Sequence, residues 1–68
     1  MQHYVVVNPK DVIKLVYEGV DVHVNDKEVG CIAHCGDISL KELFMYFNWV
    51  KKGVAQFCCW MNDEKEDS

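Results

Sequence analysis

Two helix-start signals, Asn8-Pro9 and Ser39-Leu40-Lys41-Glu42, divide this chain into a fixed alternation of segments. Asn8 suits the N-cap, Pro9 the first helical position, and Asp11 the positive end of the helix dipole. Val7 and Val12 flank that cap at the spacing of a hydrophobic staple. Ser39 and Glu42 form a capping box, with Ile38 and Leu43 as its staple. Gly19 and Gly53 supply the matching stops, and Lys51 and Lys52 complement the second C-terminus.

Strand patterns fill the spaces between these helices. QHYVVV at 2–7 is β-branched and aromatic, and VDVHVN at 20–25 alternates apolar with polar. The turn Asn25-Asp26-Lys27-Glu28 leads to VGCIAH at 29–34, so these two strands form a hairpin, with a bulge or close approach expected at Gly30. VAQFCCWM at 54–61 is a last strand. The order β-α-β-β-α-β predicts an α+β fold: a four-stranded antiparallel sheet with two helices on one face, the ferredoxin-like split βαβ. In that topology the first and third strands are central and the last lies at an edge. A single domain is expected over 1–62, followed by a disordered acidic tail at 63–68.

The second helix has more apolar surface than one stripe requires. At 100° per residue, Leu40, Leu43, Phe44, Phe47 and Val50 form the expected core stripe, and Glu42, Met45, Tyr46 and Trp49 fall opposite. Met, Tyr and Trp are enriched where proteins bind one another. Met45, Tyr46 and Trp49, with Glu42 at their rim, are therefore the expected partner-binding residues. The first and last strands are also apolar on both faces, and a long apolar edge invites pairing with another chain. A homodimer through the open sheet face or the final strand is expected.

Composition narrows the chemistry. All seven basic residues are lysine, and the net charge is −4. Arginine is the preferred residue for phosphate forks and base edges, so direct nucleic-acid binding is not expected. The acidic tail carries most of the charge and leaves 1–62 at −1. Acidic side chains at Asp21, Asp26, Glu28 and Asp37 offer a second reading, imitation of a nucleic-acid backbone to block a DNA- or RNA-binding protein.

Cys31-x-x-His34-Cys35 is a candidate zinc cluster, with Cys58 or Cys59 as a fourth ligand. Its spacing matches no standard Cys-x-x-Cys pair, and Cys31 shares a strand face with Val29 and Ala33. Packing as small reduced hydrophobes is the expectation for the cysteines, with no cofactor. No phosphate loop, serine elbow or paired carboxylates occur, so the chain is not expected to be an enzyme. No apolar run is long enough to span a membrane, and MQHYVVVN lacks the features of a secretory signal. A cytoplasmic protein is expected.

In size, lack of arginine, acidic tail and absence of catalytic motifs, the chain resembles the small accessory proteins of bacteriophages. The likeness covers general character alone. It implies an inhibitor or modulator that docks stoichiometrically on a host protein, in the host cytoplasm.

Overall fold

The computed structural model describes residues 2–62, so the expected tail at 63–68 lies outside the described residues. β1 (Gln2–Val7) leads through a 3-10 turn (Pro9–Asp11) into α1 (Val12–Tyr17). β2 (His23–Asp26) and β3 (Gly30–His34) form the hairpin. A second 3-10 turn (Cys35–Asp37) precedes α2 (Leu40–Lys51), and β4 (Ala55–Asn62) ends the described chain.

The helix ends follow their local chemistry. The Asn8 side chain accepts a hydrogen bond from the Lys10 N–H at 2.9 Å. Ser39 and Glu42 complete the capping box in both directions. Both helices stop in a Schellman motif. Gly19 donates to the Val16 carbonyl and Val20 to Leu15, while Gly53 donates to Val50 and Val54 to Trp49. Each motif needs a left-handed residue, and Gly19 and Gly53 hold φ of +91° and +84°.

The sheet is α+β, antiparallel and open, but its order is β1-β4-β2-β3. This corrects the ferredoxin-like arrangement: β4 is central, and β1 and β3 are the edges. β4 pairs with β1 from Gln2↔Asn62 to Val7↔Phe57, and with β2 from His23↔Cys58 to Asp26↔Ala55. The physical reason lies in the side chains of β4. β4 buries Phe57 and Cys59 on one face and Cys58 on the other, as an inner strand does, whereas β1, also apolar on both faces, keeps Tyr4 and Val6 exposed at the edge. β3 is short, is interrupted by a bulge and starts at Gly30, so it fits an edge. β4 is paired with β1 on one side and, over Ala55–Cys58, with β2 on the other, so the expected dimer through the final strand would have only the Cys59–Asn62 stretch to use.

Both helices cover one face of the sheet. Val7, Val12, Val22, Val24, Cys35, Leu43, Ala55, Phe57 and Cys59 form the buried core between the two layers. Both staple pairs join it: Val7 and Val12 are buried, and Ile38 packs beside buried Leu43.

α2 is rotated from its expected setting by about 60°. Leu43 is its buried centre, with Tyr46, Phe47, Trp49 and Val50 packed against the core. Leu40 and Phe44, assigned to the core stripe from sequence, are 63% and 56% exposed. Tyr46 and Trp49, assigned to the outer face, are half-buried and meet edge to face at 5.3 Å. The C-terminal motif ties this setting down, because the Trp49 carbonyl is bonded to Val54 immediately before β4. The amphipathic Tyr46 and Trp49 rings sit at the core margin, a role a simple apolar sum does not anticipate.

Candidate functional site

The helical side carries one candidate surface. Leu40, Phe44 and Met45 are exposed on α2, and Ile13 and Tyr17 are exposed on α1. Ile13, Tyr17 and Leu40 line a shallow groove between the two helices, with Cys35, Ile38 and Leu43 also on its walls. Of the expected partner-binding residues, Met45 stays on the outer surface. Glu42 is exposed too, but its carboxylate accepts hydrogen bonds from the Ser39 N–H and hydroxyl, both at 3.2 Å. Tyr46 and Trp49 belong to the other side of the helix.

The sheet face away from the helices carries the second. Tyr4 pairs across strands with Trp60, ring centroids 4.7 Å apart. Beyond them, β2 and β3 bring His23, Cys31 and His34 together, with one ligand-type atom of each within 4.8 Å of the others. A bulge creates this grouping. Val24 pairs with Ala33 and Asn25 with Cys31, which leaves Ile32 as the extra residue. Without it, positions 31 and 34 would face opposite sides of the strand. The bulge turns Cys31 out of the core register expected from Val29 and Ala33, onto the face of His34 and His23. Cys31 is exposed, which corrects its expected role as a core cysteine.

Asp21, just before β2, spans both histidines. Its Oδ1 lies 3.1 Å from His34 Nδ1 and its Oδ2 lies 3.2 Å from His23 Nε2. The hydrogen bond from His34, with the two imidazoles nearby, lowers the Asp21 pKa below its ordinary value. Since an ionised carboxylate only accepts, the ring protons sit on those two nitrogens. In the neutral form of each ring, His23 Nδ1 and His34 Nε2 carry the lone pairs, and Cys31 Sγ lies 3.7 Å from His23 Nδ1. His23 was not among the candidate ligands read from the sequence. The signal in the sequence was the pair Asp21-x-His23 on the polar side of the alternating strand.

Cys35, expected as a possible third ligand beside Cys31 and His34, is elsewhere. It is buried in the core, and burial pushes its thiol up to about 11. Burial raises Cys58 as well. Cys59 is buried with the helices, so neither residue of the Cys58-Cys59 pair is exposed. Alkylation tests this partition. In the folded chain one cysteine, Cys31, is expected to react with iodoacetamide, and all four after unfolding. Mass spectrometry of the peptides reads the result, and rapid labelling of Cys35 would contradict the burial.

The four expected surface acids divide by role. Asp21 holds the histidine pair, and Asp26 closes the hairpin turn by accepting from the N–H groups of Glu28 at 2.7 Å and Val29 at 3.1 Å. Glu28 and Asp37 are exposed. Among the described residues no helix is long and apolar enough to cross a membrane. Comparison of the chain with known protein families, curated proteins and solved structures gives no match.

Proposed function

We propose that the chain is a non-enzymatic protein-binding module that docks stoichiometrically on a target protein and alters it. The observation that carries this reading is the apolar strip left over on the helical side: Ile13 and Tyr17 on α1, and Leu40, Phe44 and Met45 on α2. A domain of this length has a small core, and large apolar residues left exposed beside an apolar groove suit a contact surface. The groove between the helices suits a row of apolar side chains on one helix of the target. The inhibitor role, and a host protein as target, rest on the bacteriophage-like character of the sequence.

The module works as a homodimer in this reading, and β1 supports that part. β1 is an edge strand of six residues with no lysine, acid or proline, and its register to β4 runs unbroken. Edges of this kind pair with another chain unless they are blunted. The opposite edge, β3, is blunted by its bulge. Antiparallel pairing of β1 with β1 of a second copy would join two sheets into one of eight strands.

The docking surface is tested by the double substitution Leu40→Ser and Phe44→Ser. Both side chains are more than half exposed, so the circular dichroism spectrum and melting temperature should hold. Capture of the target is expected to fall more than tenfold, as for the loss of central contact residues. Undiminished capture by the folded variant would move the contact elsewhere.

A further inference from the structure

We propose that His23, Cys31 and His34 form a binding site for one divalent transition-metal ion, with zinc the best match, and that Asp21 orients the two histidines from behind. The donor set is right for this class of ion. Imidazole and thiolate suit zinc, whereas magnesium and calcium favour oxygen ligands.

The geometry also fits. Zinc bonds of about 2.3 Å to sulfur and 2.0–2.1 Å to nitrogen, at a tetrahedral angle, put the two donors about 3.6 Å apart. Cys31 Sγ and His23 Nδ1 stand 3.7 Å apart. One ligand-type atom from each of His23, Cys31 and His34 lies within 4.8 Å of the others, and the two rings are 4.5 Å apart between centroids. Asp21 already holds the outer nitrogen of each ring, which leaves His23 Nδ1 and His34 Nε2 for the metal. A carboxylate behind a ligating histidine is the usual arrangement at zinc sites.

Three protein ligands leave a fourth position for water. Asn25 is the partner of Cys31 across the strands, and its buried Oδ1 has no hydrogen bond among the described residues. It is an acceptor on the residue directly across the strands from Cys31. The site lies on β2, β3 and Asp21, two residues before β2, and it involves neither α2 nor the β1 edge. It stands or falls independently of the docking surface and of the dimer.

The test uses the full chain with zinc and, as a spectroscopic probe, cobalt. Competition with a chromogenic chelator is expected to give one zinc per chain. Titration with cobalt is expected to show a sulfur-to-metal charge-transfer band and the intense visible bands of tetrahedral coordination. Cys31→Ser should abolish the charge-transfer band, and His23→Ala or His34→Ala should lower zinc affinity at least tenfold. Asp21→Asn should weaken binding by about 10–100-fold while keeping the same cobalt spectrum. Cys35→Ala should leave both readouts unchanged. Folding of each variant is checked by circular dichroism; Cys31 and Asp21 are exposed, so those two variants keep the test decisive. The site is overturned if the wild-type chain binds no zinc. Equal zinc affinity in Cys31→Ser, or a cobalt spectrum lost with Cys35→Ala in a folded chain, also overturns it.

Discussion

Phe57→Ala is expected to leave much of the chain unfolded at 25 °C, while Phe44→Ala leaves it folded. Phe57 has no exposed surface, sits in central β4 and meets Phe47 edge to face at 5.0 Å. Removing a buried phenylalanine costs about 3–5 kcal/mol, through lost transfer energy and the cavity that remains. A domain of this length has about 3–10 kcal/mol of stability in total. Phe44 lies on the same helix as Phe47 but is 56% exposed, so its loss should change stability by less than about 1 kcal/mol. Urea denaturation of the two variants measures both. Equal destabilisation would mean that α2 presents its Leu40–Phe44 face to the sheet, contrary to the structure.

Val6→Lys is expected to separate the proposed dimer and leave the monomer intact. Val6 is 63% exposed on the edge strand, so the fold loses little when it changes. Across a two-fold axis each substitution places two new charges near one strand pair, and lysine is the residue by which natural edges avoid pairing. The dimer dissociation constant should rise at least tenfold, with an unchanged circular dichroism spectrum. Light scattering on a concentration series reads the shift. A variant as dimeric as the wild type would place the self-contact away from β1.

Much of the architecture was legible because it rests on local signals. Asn8, Ser39, Glu42, Gly19 and Gly53 mark helix ends through backbone hydrogen bonds that their neighbours alone determine. Strand order was not local in this sense. A β2–β3 hairpin can join the sheet with β3 inside or outside, and the segment order is the same in both cases. The two-sided apolar character of β4 was a clue to a central strand, but β1 shares it and lies at an edge. The setting of α2 was missed for a related reason. Leu40 and Phe44 outrank Tyr46 and Trp49 in hydrophobicity, but the Schellman motif at Trp49 and the short path to β4 favour the other face.

The candidate metal cluster depended on a single inserted residue. Strict alternation pairs Cys31 with Val29 and Ala33, and only the bulge at Ile32 returns it to the side of His34. Gly30, with φ of +96°, marks the irregular start of this strand, though the extra residue lies two positions later. The contribution of Asp21 was hidden too, since in sequence it is one acid of a scattered set. Its meaning appears when β2 and β3 pair and both imidazoles fall within 3.2 Å of its oxygens.

The measurement closest to the proposed association is amide hydrogen exchange along residues 2–7 at several protein concentrations. In a monomer, alternate amides of β1 point away from β4 into solvent and exchange freely. If β1 joins β1 of a second copy, those outward amides are protected at high concentration and lose protection on dilution or in Val6→Lys. Outward amides that exchange at the unprotected rate at every concentration would contradict the paired edge.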